Sequence, residues 1–145
     1  MELQTIVYGT TAYKETLALR NRVMRQPLGL NIADEDFSKE SQALILGAYE
    51  ASQLLGVGVM SQQEDNWQAV DYLCVDPEIQ SRGVGRQLLQ KLEEMAQEAG
   101  ARGVWLEARV SAQAFYEKLG YRAFGNIYQM AHAPVPHIKM DKRFE

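Results

Sequence analysis

Gln80-Ser81-Arg82-Gly83-Val84-Gly85 lies between an apolar strand candidate and a strongly amphipathic helix candidate, and that placement sets the reading of the whole chain. Upstream, Val70-Asp71-Tyr72-Leu73-Cys74-Val75 has the β-branched and aromatic content of a strand. Downstream, Val84, Leu88, Leu92, Ala96 and Ala99 recur at helical spacing. Leu89 and Met95 widen that stripe, and Glu93, Glu94, Gln97 and Glu98 fall elsewhere. A glycine-bearing turn that opens a helix presents unpaired N–H groups and the positive end of the helix dipole, a setting for phosphate or pyrophosphate. The glycines let the backbone approach an anion with no side chain in the way, and Arg82 and Arg86 can add charge-assisted contacts. Glycines at such a junction can equally serve turn geometry alone, because G-x-G by itself is a weak motif.

A dinucleotide turn is the first alternative for these residues. Gly83-x-Gly85-x-x ends at Leu88, so the third small residue is missing, and Asp76 to Arg82 separate the glycines from Val75. A Rossmann turn follows its strand almost at once. Glu107, at the end of the next strand candidate, falls about where a ribose-binding acid would stand. Two misfits outweigh that one coincidence, which leaves an NAD-dependent oxidoreductase a distant third reading.

The stretch from Val75-Asp76-Pro77-Glu78-Ile79 through Gln80-Ser81-Arg82-Gly83-Val84-Gly85 to Arg86-Gln87-Leu88-Leu89 resembles the signature of the GNAT superfamily of acyl-CoA N-acyltransferases, Q/R-x-x-G-x-G/A after the fourth strand. Ala112-Gln113-Ala114-Phe115-Tyr116-Glu117-Lys118-Leu119-Gly120-Tyr121 resembles a second segment of that family, A-x-x-F/L-Y-E-K-x-G-F/Y, in the helix after strand five. The two matches stand in the family's order and separation. They cover the second half of the chain by residue and the first half by element order.

The resemblance implies an acyl-CoA-dependent N-acyltransferase, most simply one that moves acetyl from acetyl-CoA to an amine by direct attack, with no metal. The implied fold is α/β: a mixed, mostly antiparallel central sheet, a splayed parallel pair of strands four and five, and helices on both faces. Leu73, Cys74 and Val75 would offer backbone groups to the pantetheine arm, with one N–H near the thioester carbonyl. The pyrophosphate would lie on Gln80, Ser81, Arg82, Gly83, Val84, Gly85 and Arg86. Tyr116 falls where many members carry the tyrosine that protonates the departing thiolate. Ala112, Phe115 and Leu119 share its helical face, so packing is the competing role. The family often has Asn seven residues before that tyrosine. Here the position is Arg109, so either another group meets pantetheine or Arg109 reaches an acidic surface. A module that binds or senses CoA without catalysis is the second reading.

Composition agrees with these expectations. The chain has 145 residues, enough for one domain spanning 1–145 with a real core. Its formal net charge of −4 argues against a nucleic-acid binder driven by bulk charge. No apolar run approaches a membrane span, and no signal-peptide pattern opens the sequence. Cys74 is the one cysteine, so no intrachain disulfide forms and a cytoplasmic location is expected. An exposed sheet edge could support a homodimer.

The general base is not legible. Glu107 and Asp71 are the carboxylate candidates, each more often a solvated or paired strand residue. His132 and His137 lack an accompanying Cys, Asp or Glu cluster, which argues against metal. Pro136-His137-Ile138-Lys139-Met140 resembles the last-strand segment of some small members, where a His lies near the acceptor pocket, so His137 is an acceptor-site candidate. Arg25, with Arg22 and Gln26, could face an anionic acceptor from the helix before Pro27, solvated helix charges being the default reading. Cys74 reads as a small buried apolar residue. Gly56 and Gly58 share a strand face and could admit a backbone or ligand closely.

Elsewhere the pattern predicts a strand over Leu3–Tyr8 and a helix from Thr10 or Thr11 to about Arg25, stopped by Pro27. It predicts a short helix around Asp34–Phe37, a hairpin of Ala43–Tyr49 with Leu54–Met60, and strands at Trp67–Val75 and Val104–Ala108. A helix over Ser111–Leu119 and a closing pair, Phe124–Met130 with His137–Lys142, complete the chain.

Overall fold

The computed structural model describes residues 1–145, apart from the side chains of Gln80 and Ser81. Strand β1 (Glu2–Thr5) is shorter than expected, because Thr10 turns back to donate its hydroxyl to the Val7 carbonyl at 2.7 Å. Thr10 then caps helix α1 (Thr11–Arg20) by accepting from the Tyr13 N–H at 3.2 Å. The helix continues as a π-helical turn, Asn21–Arg25, and a 3-10 turn, Gln26–Leu28, which ends at Gly29 with φ of 72°. Pro27 therefore sits inside that tighter turn, at a position whose N–H needs no partner, and does not itself stop the chain. The inward face of this helix is partly polar, since Thr16 and Arg20 lie buried beside Tyr13 and Leu19.

No continuous helix forms over Asp34–Phe37. Two 3-10 turns, Ile32–Asp34 and Ser38–Gln42, flank that stretch instead. Asn31 and Asp36 side chains accept from the N–H groups of Ala33 and Ser38, each at 2.9 Å, and such local bonds compete with a helix.

Strands β2 (Leu44–Glu50) and β3 (Gln53–Gln62) form the expected hairpin, with Ala51 and Ser52 both at positive φ. Strand β4 (Gln68–Val75) leads through a 3-10 turn, Pro77–Arg82, to helix α2 (Val84–Glu98) and strand β5 (Gly103–Arg109). Short helix α3 (Gln113–Lys118) precedes β6 (Arg122–Met130) and β7 (Ala133–Arg143). The strands build one sheet in the order β1-β2-β3-β4-β5-β7-β6, parallel only between β4 and β5.

Helix α2 packs on one face through Leu88, Leu89, Leu92 and Ala96, all fully buried. Gly56 and Gly58 make room for it. A Cβ at Gly58 would stand 2.7 Å from Leu92 Cδ1, and one at Gly56 3.1 Å from Leu88 Cδ1. Those glycines seat the helix and do not admit a ligand. Helix α1 covers the opposite face, its Tyr13 and Leu19 packing with Ile6, Ile45, Val57, Val59 and Cys74.

Between β4 and β5 the ladder has three steps, Gln68↔Val104, Ala69↔Trp105 and Val70↔Leu106. Beyond it β4 continues on β3, and β5 continues on β7 as far as Arg109↔His137. The parting begins at a bulge. Val59 pairs with Tyr72 and Met60 with Val70, so Asp71 is the extra residue that bends β4 away from β5.

Candidate active site

The wedge opened at Asp71 has a glycine turn at one end and a broad cleft at the other. At the turn, Asp76 accepts from the Glu78 N–H at 3.1 Å and from Arg22 at 3.2 Å. These bonds hold its carboxyl below the usual carboxylate range. Gly83 takes φ of 74°, in the left-handed region, and its carbonyl accepts the first helical bond from Gln87 at 3.1 Å. The N–H groups of Val84, Gly85 and Arg86 thus form the free first turn of α2, while the Val84 side chain is buried beneath. A Cβ at Gly83 would meet nothing within 4 Å, and one at Gly85 would reach Val75 and Phe115 only at van der Waals distance. Arg82 is engaged with Glu50 in an exposed ion pair, and Arg86 points to solvent. The side chains of Gln80 and Ser81 lie outside the described residues.

The cleft lies on the α1 face of the sheet, about 1050 Å³ in volume, walled by Tyr72, Trp105, Phe37, Tyr116, His137 and Met130 among others. Sheet alternation decides which β5 residues reach it. Val104, Leu106 and Ala108 turn into the α2 core, so Trp105, Glu107 and Arg109 face the cleft. His137 stands directly opposite Arg109 on β7.

The charged groups here fall into two kinds. Arg20 and Arg25 are buried and neutralised. Arg20 binds both oxygens of Glu40 at 2.8 and 2.9 Å, and Tyr13 donates to the same carboxylate at 2.8 Å. Arg25 binds Glu35 at 2.7 and 3.2 Å and donates to the Tyr72 hydroxyl at 3.0 Å. Arg25 is therefore neither a solvated helix charge nor a free anchor for an anionic acceptor. Asp71, Glu107 and Arg109 have no oppositely charged partner among the described residues. Asp71 is solvent-accessible within the cleft, and desolvation by the cleft walls raises its carboxyl, with Glu40 and Glu107 adding to the shift and a bond with Ser61 offsetting part of it. Glu107 accepts the Tyr128 hydroxyl, while Lys139, its partner across the ladder, stands over the Trp105 ring at 5.9 Å. Arg109 does not reach an acidic surface: it donates to the Met24 carbonyl at 2.9 Å.

His137 is buried, and its Nδ1 donates to the Val135 carbonyl at 2.7 Å. A carbonyl can only accept, so Nδ1 carries a proton, and the residue lines the cleft. Tyr116 is buried against Phe115 and Tyr121 with its ring at the cleft wall, and burial pushes its phenol up to about 12. Burial likewise pushes the Cys74 thiol up to about 12, which fits its apolar reading. Among the described residues no group of three metal-ligating side chains occurs, and no helix is long and apolar enough to cross a membrane.

Sequence reasoning placed Tyr116, Glu107, Asp71 and His137 without knowing that they share one cleft. It missed the Arg20–Glu40 and Arg25–Glu35 pairs, because polar residues on an interior face leave no hydrophobic period to read.

A mixed sheet that splays after a short parallel ladder, with a helix N-terminus at its mouth, is the acyl-CoA N-acyltransferase fold. The acetyltransferase (GNAT) domain family matches residues 20–144, and the chain belongs to that family as an N-acetyltransferase. An uncharacterized N-acetyltransferase, YjcF of Bacillus subtilis, is 27% identical over 129 residues, 89% of this chain and 91% of the relative. Escherichia coli ElaA superposes with a TM-score of 0.82 at 19% identity, over 99% of this chain and all of that one. An aminoglycoside 6'-N-acetyltransferase crystallised with coenzyme A superposes with a TM-score of 0.77 at 17% identity, over 99% and 97% of the two chains.

Proposed function

We propose that this chain, as a single domain, transfers acetyl from acetyl-CoA to a primary amine by direct attack, in a reducing compartment such as the cytoplasm. The observation that carries the reading is the three-step β4–β5 ladder, which leaves a wedge with a phosphate-suited turn at one end and Tyr116 at the other. A row of amides such as the pantetheine arm can pair with the β4 edge around Leu73, Cys74 and Val75 as an added strand. The free N–H groups at the start of α2 suit the pyrophosphate, and Arg82 would exchange Glu50 for it.

In the reaction an ammonium first loses a proton. Asp71 is the better base candidate of the two carboxylates, because its raised carboxyl holds a proton more readily than an ordinary one. The amine nitrogen then bonds the thioester carbon, the carbonyl oxygen takes the charge beside a β4 N–H, and the C–S bond breaks as the carbonyl re-forms. Tyr116 donates its proton to the leaving sulfur and is reprotonated by the second proton that the attacking nitrogen gives up. The balance is one amide and one CoA thiol formed, with one proton released. Glu107 and His137 line the same cleft and would orient the amine.

Acetyl-CoA at 100-fold its Kd adds about 2.7 kcal/mol of stability. The melting temperature should then rise by roughly 5–10 °C for a chain of this size. NADH should leave it unchanged. A shift with NADH and none with acetyl-CoA would overturn the reading. Tight CoA binding with no CoA thiol released by any amine would point instead to a binding module.

A further inference from the structure

Arg109 stands out among the cleft's cations. Among the described residues its guanidinium makes one hydrogen bond, to the Met24 carbonyl, and its Nε is buried with no partner. Arg20, whose Nε is also unpartnered, has Glu40 on its other two nitrogens, and Arg25 has Glu35. No described carboxylate lies within ion-pair distance of Arg109. Glu107, two residues earlier on the same face of β5, is engaged by Tyr128. Burial and the nearby charge of Arg25 both disfavour the guanidinium charge, yet arginine stays protonated in proteins. Arg109 is half-buried, and an unpaired charge partly withdrawn from water costs the folded state free energy unless a partner arrives.

We propose that the missing partner is a carboxylate carried by a reactant, and that Arg109 anchors it in the acceptor cleft. This rests on the acyltransferase reading and narrows its substrates. A carboxylate can enter from either side of the reaction. On the acceptor side it belongs to an amino acid or related amino-carboxylate. On the donor side it ends an acyl chain, as in succinyl-CoA. The planar fork of arginine accepts a carboxylate bidentately, which Lys cannot copy. The acceptor arrangement also suits the neighbouring charges. Glu107 and Arg109 have Cα atoms roughly 7 Å apart by strand rise, a spacing over which an amino-carboxylate can present its ammonium to one and its carboxylate to the other.

The test uses matched pairs on the full chain: free amino acids against their carboxamides as acceptors, and succinyl-CoA against acetyl-CoA as donors. Binding is read as a melting-temperature shift with and without CoA, and turnover as thiol release. The expected result is at least a tenfold preference for the carboxylate form on one side, which also identifies that side. Arg109→Gln should abolish the preference and Arg109→Lys should keep only part of it. The ligand-free Arg109→Gln protein should melt no lower than the parent, since an uncompensated charge is gone, whereas a structural strut would lose stability. Equal use of both members of every pair overturns the proposal, as does a preference that survives Arg109→Gln. Acetylation of amines without carboxylate preference defeats the anchor alone. Absence of any response to acetyl-CoA or CoA defeats the acyltransferase reading separately.

Discussion

The Tyr116 phenol is pushed up to about 12 by burial, against about 8.5 for a free thiol. Complete proton transfer to a free thiolate would run uphill by on the order of 5 kcal/mol. The dry setting that raises the phenol also raises a thiolate placed beside it, so the two values converge in the complex. Tyr116→Phe keeps the ring against Phe115 and Tyr121 and should lower turnover by about 10²–10⁴-fold while acetyl-CoA affinity barely moves. An unchanged turnover number with chemistry rate-limiting would remove Tyr116 from the mechanism. Asp71 gives a second residue-scale prediction. Its carboxyl is raised in the folded state, so its favourable contribution to stability is present at acid pH and is lost as pH rises through that raised value. Asp71→Asn should therefore raise the melting temperature at neutral pH, and the gain should shrink toward acid pH. If Asp71 is also the base, the parent's kcat/KM should fall on the acid side above the ordinary carboxylate range, and the variant should lose that limb together with most activity. A variant that melts lower at neutral pH would contradict the sign of the shift.

At the scale of elements, the turn into α2 and the end of α1 do different work. Gly83 holds a left-handed conformation that strains any side chain, but Asp tolerates it better than most residues and the space around the missing Cβ is open, so Gly83→Asp should fold. Its carboxylate would face the free N–H groups of α2 and repel a pyrophosphate, so acetyl-CoA affinity should drop sharply by calorimetry. A folded variant that binds normally would make the turn merely structural. Helix α1 is fixed by the Arg20–Glu40 pair and the Tyr13 hydroxyl, which join it to the Ser38–Gln42 turn and so build one wall of the cleft. Removing one partner leaves a buried charge alone, so Glu40→Ala should cost about 3–5 kcal/mol in urea unfolding with an unchanged m-value. A loss under 1 kcal/mol would mean that the wall is held by packing alone. The π-helical turn at Asn21–Arg25 follows directly, and from it Arg25 turns inward to Glu35 while the Met24 carbonyl accepts from Arg109.

At the scale of the whole molecule, the sheet brings together residues far apart in sequence. Arg109 meets Met24, His137 faces Arg109, and Tyr128 reaches Glu107. The β4–turn–α2 unit was legible from sequence because its signals are local: a β-rich run, two glycines and a clean helical stripe within about thirty residues. Two family segments in the right order extended that unit to the splayed fold and to Tyr116. The sequence could not say that Asp71 would be a bulge, since a bulge depends on how β3 and β4 slide past each other. Nor could it place β7 between β5 and β6, which depends on long-range pairing. Arg25 reads as a surface charge until Glu35 and Tyr72 close over it, and Arg109 reads as a substituted Asn until its lack of a carboxylate is seen in three dimensions. The sequence by itself determined the local elements, the turn and the family, because periodicity, glycine placement and motif spacing act over a few residues. Only the tertiary structure decided which charges are paired and which stand open in the cleft, because Coulomb interaction and desolvation depend on distance and burial, and neither is written in chain order.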